Sequence, residues 1–182
     1  MEPDELDRLL DEVLVGGRRP VLVELAEPDP VWPQRFSAHR QRIVAALGAT
    51  ATATDVQHVG STAVPGLAAK PVVDVQLAVD DLEVAVTALE AAGYVLRVRE
   101  PGHRMLKAPP PDEANVHLHE PGDPALEERL RLRDRLRADP AARRRYEDAK
   151  RAFAGRTWPD VNHYAEAKGP VIRAILAEPG RP

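Results

Sequence analysis

The chain of 182 residues has no cysteine, which excludes disulfides, thiolate metal sites and cysteine nucleophiles; any metal must be held by oxygen or imidazole. Aromatic residues make up only 4%, too few to stack the bases of a single strand, and the basic helices interleave their charges with leucine and acid. A net charge of −4 is also too mild to attract nucleic acid by itself. No apolar run approaches the length that spans a bilayer, and residues 1–14 are acidic and amphipathic, unlike a basic stretch followed by a continuous apolar one. The expectation is a cytoplasmic protein with no membrane or nucleic-acid partner.

The residues that are present suit one core: 43% are hydrophobic and 30% charged, an ordinary globular balance that argues against disorder. Residues 1–20 read as an N-terminal helix and linker, with Leu6, Leu10, Val13 and Leu14 at helical spacing before Gly16-Gly17, and residues 21–182 as the domain proper. Val21, Val23 and Leu25 alternate as a short strand, and a helix from about Val31 carries Trp32, Phe36, Ile43 and Leu47 up to Gly48. Asp55–Val59 and Val72–Val79 read as strands. In the second, Val73, Val75, Leu77 and Val79 point to the core, and Val72, Asp74, Gln76 and Ala78 to the other face.

Asp80-Asp81 can cap a helix closed by Gly93, and Tyr94–Val98 with Arg104–Ala108 suggests a hairpin across Pro101-Gly102. In Asn115–His119, Val116 and Leu118 turn inward and His117 and His119 share the opposite face. The last third is helical, opened by Asp123-Pro124, Asp139-Pro140 and Asp160, with a kink expected at Gly169-Pro170. The reading is an α/β (α+β) chain: a mixed sheet flanked by helices, with a C-terminal helical region.

The stretch from His58 to Asp74, with Gly60-Ser61-Thr62, Pro65-Gly66-Leu67 and Lys70-Pro71 between them, carries the chemistry. Glycine lets backbone approach a phosphate closely, Ser61 and Thr62 offer amide and hydroxyl donors, and Lys70 adds a charge. A plain tight turn between strands is the alternative reading. The stretch resembles the signature of the GrpB family, as do Asp29-Pro30-Val31-Trp32-Pro33, Arg133-Asp134, Leu136 to Pro140 and Tyr164 to Lys168; the likeness runs from about Val23 to Leu176. The resemblance implies the nucleotidyltransferase superfamily fold, with ATP or another nucleoside triphosphate as substrate, a divalent metal and an unknown small-molecule acceptor. Domains similar to GrpB also occur fused behind dephospho-CoA kinases in some bacteria, which implies the alternative of a catalytically degenerate nucleotide- or CoA-binding accessory domain.

Asp74 is the expected catalytic and metal-binding carboxylate. Gln76 stands where nucleotidyl transfer would place a second acid, and the neighbouring strand offers Asn115, His117 and His119 in place of a third. His117 and His119 at i, i+2 can ligate a metal or act as base, so Asp74, His117 and His119 together suggest a mixed site favouring manganese or zinc over magnesium; an exposed polar strand is the competing reading. His103-Arg104 at the hairpin could line the same cleft. Arg133 falls in the buried arc of its helix, with Arg129 and Arg137 within or beside it, so at least one guanidinium needs an internal anion, Asp74 or Glu166, or a ligand phosphate. Lys168 lies on the apolar side of its helix near Tyr164, where its ammonium can reach a pocket. Gly60, Ser61, Thr62, Lys70, Arg104, Arg133 and Lys168 are the phosphate-binding candidates.

Overall fold

The structure, a computed structural model, describes residues 3–52 and 55–178; the outer ends of the two expected segments, 1–2 and 179–182, lie outside the described residues. Period-two alternation organises the centre. Strands β2 (Gln57–Val59), β3 (Val73–Ala78), β4 (Val95–Glu100), β5 (His103–Ala108) and β6 (Ala114–His119) form a sheet in the order β2-β3-β6-β5-β4. Only β3 and β6 run parallel, because the chain between them crosses over through a helix and a hairpin; the other neighbours are antiparallel.

One face of this mixed sheet is apolar. Val73, Val75 and Leu77 of β3, Val116 and Leu118 of β6 and Leu106 of β5 are each at most 1% exposed. They pack on α2 (Trp32–Leu47), through Ile43 and Leu47, and on α3 (Leu82–Ala91), through Val86 and Leu89. Two polar groups inside this layer satisfy each other, His39 Nδ1 lying 2.9 Å from the Tyr94 hydroxyl. The second face carries Asp74, Gln76, Asn115, His117 and His119, with Met105 across from His117 in register.

Helices α4 (Pro124–Ala138), α5 (Pro140–Phe153), α6 (Val161–Ala167) and α7 (Gly169–Ala177) gather on the polar side around a second cluster of Val64, Leu67, Leu136, Tyr146 and Ile175. Asp81, Asp123, Asp139 and Asp160 each accept backbone N–H bonds at the start of α3, α4, α5 and α6, a cap worth about 1 kcal/mol each. The kink expected at Gly169-Pro170 is instead a break. The Lys168 amide turns back to the Ala165 carbonyl, and Pro170 has no N–H with which to continue one helix.

Helix α1 (Pro3–Val13) lies against β4, where Val13 packs with Val98 and Met105 and Leu14 bridges to Val98. The short strand β1 (Val21–Leu22) pairs with β7 (Thr157–Trp158) and stays outside the main sheet.

His58 gives this packing a pH dependence. Its ring stacks on Phe36 at 4.6 Å, and burial, with Arg137 and Arg133 nearby, pushes its pKa down to about 4. The unfolded chain therefore takes up this proton first as pH falls, so stability drops from about pH 6.5 downward and the loss is complete below the folded value. The full shift corresponds to about 3 kcal/mol, of which about 2 is gone by pH 5. Urea unfolding at pH 7.5 and pH 5 should show this slope in the wild type and a correspondingly shallower one in His58→Gln.

Candidate functional site

Asp74, Asn115, His117, Met105 and Lys107 open from the polar face of the sheet into a cavity of about 740 Å³. The turn after β2 closes one side with Val59, Gly60 and Ser61. Gly60 has φ +71°, and a Cβ placed there would stand 2.3 Å from Asp74 Oδ2. Glycine is thus required twice, by the backbone conformation and by the carboxylate that fills the space of a side chain. Asp74 Oδ1 accepts a 2.8 Å hydrogen bond from Asn115 Nδ2, while the buried Asn115 Oδ1 has no hydrogen-bond partner. Burial raises the Asp74 pKa, against the opposing pull of the Asn115 bond and of Lys168, Arg129 and Lys70.

The walls are cationic. Arg129 and Arg133 enter from α4, Lys150 from α5 and Lys168 from the junction of α6 and α7. Lys70, Lys107 and Arg97 come from the sheet and the loop before β3, and Arg18 and Arg19 from the linker after α1. Among the described residues these nine Lys and Arg side chains line the cavity with only three carboxylates, Asp74, Glu113 and Asp160, although the whole chain is net acidic at −4. Lys150 is 1% exposed and donates to the Ala68 carbonyl; burial brings its pKa down to about 7. Lys70 is lowered too, by burial and then by Lys107.

Of the residues expected from sequence, Gly60, Ser61, Lys70, Asp74, His117, Arg133 and Lys168 all line this cavity. Thr62 does not: it is buried, its hydroxyl bonded to His58 Nε2 and to the Val72 carbonyl, so it holds the turn together. Arg104 also lies elsewhere. It sits opposite Leu118 on the apolar-face register, bound to Glu83 of α3 and to the carbonyls of Glu100 and His103. Strand parity sends it away from its neighbour His103.

The internal anion expected for a buried arginine is Asp74, whose charge favours that of Arg129, while Arg133 and Arg137 also reach neutral acceptors. Arg133 donates to Gln57 Oε1 and the His58 carbonyl while pairing outward with Asp134, and Arg137 donates to the Ala63 carbonyl. Gln76 is 1% exposed, with its amide donating 2.9 Å to the Leu126 carbonyl of α4. The place of a second acid is therefore closed by a helix.

His117 and His119 do share a face, but the third member of their group is His103 and not Asp74. His103 Nδ1 lies 2.7 Å from Glu100 and its Nε2 lies 3.1 Å from His117 Nδ1. His119 Nδ1 lies 2.6 Å from Asp123 and its Nε2 lies 3.1 Å from Arg129. Burial first, then Arg129, lowers His117 well below the ordinary histidine value; burial lowers His119 against the pull of Asp123. Lys150 went unnoticed in the sequence, although Ala142, Tyr146 and Lys150 at i, i+4, i+8 mark the buried stripe of α5.

The model of the GrpB protein family matches residues 22–178. The chain belongs to the GrpB family. It is 47% identical to a UPF0157 protein of Streptomyces coelicolor over 92% of this chain and 89% of that one. A UPF0157 protein of Halalkalibacterium halodurans is 42% identical, with 93% and 90% covered. A dephospho-CoA kinase of Mycolicibacterium paratuberculosis is 36% identical over 83% of this chain, which spans only 44% of that enzyme. The crystal structure of GrpB from Enterococcus faecalis shares the fold with a TM-score of 0.66 at 24% identity, over 84% of this chain and 97% of that one. The mixed sheet flanked by helices is thus a GrpB fold.

The Gly60–Asp74 contact is directly testable. Gly60→Ala is expected to cost roughly 2–4 kcal/mol, from the positive φ and the carboxylate clash together. In the Asp74→Ala background the same substitution should cost at least about 1 kcal/mol less. Denaturant unfolding of the four chains measures the coupling, and strict additivity would show that the two groups do not touch.

Proposed function

We propose that this GrpB-family chain binds the phosphates of a nucleoside triphosphate in the cationic cavity and uses it in a nucleotide-dependent transfer to a small acceptor. The observation that carries this reading is the concentration of nine basic side chains around one cavity of an acidic protein, beside a glycine turn. Such a field suits a compact polyanion. The Ser61 hydroxyl and the amides of the turn, with Lys70, Arg133 and Lys168, are the groups for phosphate oxygens. Asp74, which lines the same cavity and lies against the glycine turn, is the candidate base toward an acceptor hydroxyl, with His117 on the same wall.

A magnesium centre for nucleotidyl transfer needs two or three carboxylates around the ions. The residues here do not fit one: Asp74 is the one carboxylate on the polar face of β3 and β6, Gln76 is sealed beneath α4, and Asn115 offers a neutral oxygen. Neutralising the phosphates falls to lysine and arginine, and no step is assigned to a metal. The lone carboxylate also favours a second reading, a domain that binds a nucleotide or coenzyme A without turnover. The partial match to dephospho-CoA kinases supports that second reading.

Thermal-shift measurements with ATP, GTP and coenzyme A, each with magnesium, manganese or zinc, followed by product analysis, test both readings. Lys70→Met and Lys168→Met should each weaken nucleotide binding about tenfold, or about 1.4 kcal/mol. If neither a nucleotide nor coenzyme A stabilises the protein, both readings fail; binding without product selects the second.

Phosphate binding should also return the Lys150 pKa from about 7 toward its ordinary value, so complex formation takes up protons at and above neutral pH. Calorimetry at pH 7.5 in buffers of different ionisation enthalpy reads this uptake, and Lys150→Met should remove it.

A further inference from the structure

We propose that His103, His117 and His119 form a three-histidine site for one zinc ion, separate from the phosphate-binding groups. The sheet register assembles it. His103 and His119 are directly opposed on β5 and β6, and His117 follows two residues before His119 on the same face. Ring nitrogens of the three lie within 4.8 Å of one another. His103 Nε2 and His117 Nδ1 are already 3.1 Å apart, and two nitrogens on a tetrahedral zinc stand roughly 3.3 Å apart. Imidazole nitrogen selects zinc over the harder magnesium.

The surroundings are those of a ligating set. Glu100 and Asp123 accept from the Nδ1 atoms of His103 and His119 at 2.7 and 2.6 Å. Each carboxylate fixes the tautomer and leaves an Nε2 lone pair for an ion, as the outer carboxylates of zinc-bound histidines do. At His119 that lone pair is now taken by Arg129, 3.1 Å away, so a cation already stands where the ion would bind. Zinc must displace this guanidinium, which also lines the cavity with Asp74. His117 lines the cavity as well, so the cluster borders it through one of its three rings.

The test uses the full chain, stripped with EDTA and titrated with zinc by calorimetry in the absence of nucleotide, with bound metal counted by elemental analysis. The expected result is one zinc per chain. His103→Ala should weaken binding at least about tenfold, and Glu100→Gln, which keeps every ring, should weaken it about 10- to 100-fold. Arg129→Met should tighten binding by removing the competitor, and Asp74→Asn should leave it unchanged. Absence of stoichiometric zinc in the wild type would overturn the proposal, as would unchanged affinity in both His103→Ala and Glu100→Gln. Weaker binding by Arg129→Met would remove the ion from His119, and weaker binding by Asp74→Asn would replace this ligand set with another. Circular dichroism on each variant separates lost binding from lost fold, and the near-isosteric Glu100→Gln keeps the question answerable if His103→Ala unfolds.

Discussion

Helix α4 lies across a polar sheet face, where side-chain hydrogen bonds hold it together with the apolar packing of Leu132 and Leu136. A β-strand cannot bury one side of itself without presenting the other, and in β3 the other side carries Asp74 and Gln76. The Gln76 amide meets the Leu126 carbonyl, and Arg133 and Arg137 reach the carbonyls of His58 and Ala63. These bonds satisfy groups that would otherwise be buried without partners. They also fix which way α4 faces: the guanidiniums of Arg129 and Arg133 turn toward the sheet and make the cavity wall positive.

That field then governs the groups within it. Asp74 is the single carboxylate at the glycine turn, held by Asn115 and surrounded by Lys70, Arg129 and Lys168, yet its pKa is raised because it is buried. Lys150 is pushed the opposite way by the same burial. Both shifts disfavour the charged form, because burial outweighs the neighbouring charges at each group. The histidines sit at the far edge of this region. Their carboxylate partners, Glu100 and Asp123, come from the end of β4 and the start of α4, and Arg129 links the cluster to the cavity through His119.

Much of this was legible in the sequence, because alternation and caps are local. Val73, Val75 and Leu77 mark the inner face of β3, and the aspartates at positions 81, 123, 139 and 160 mark four helix starts. The GrpB-like stretch from His58 to Asp74 carries Gly60, Lys70 and Asp74 close together in sequence, and all three line one cavity. What the sequence could not show depends on register and distance along the chain. His103 and Arg104 read as one pair at a hairpin, but strand parity separates them, and only the pairing of His103 with His119 brings the third imidazole to the cluster. Gln76 reads as a lost acid because its partner, the Leu126 carbonyl, is 50 residues away. The paired glycine and proline at 169 and 170 signalled a bend, and the backbone hydrogen bonds convert it into two helices.

The linker between α1 and β1 contributes Arg18 and Arg19 to the cavity wall, and Gly16 is pressed against the Arg97 side chain, which a Cβ would approach to 2.8 Å. This rim is drawn from residues that precede the stretch matched by the family model, which begins at residue 22. Substitution at Arg18 or Arg19 therefore changes the charge of the cavity wall without touching the turn, the carboxylate or the helix that covers them.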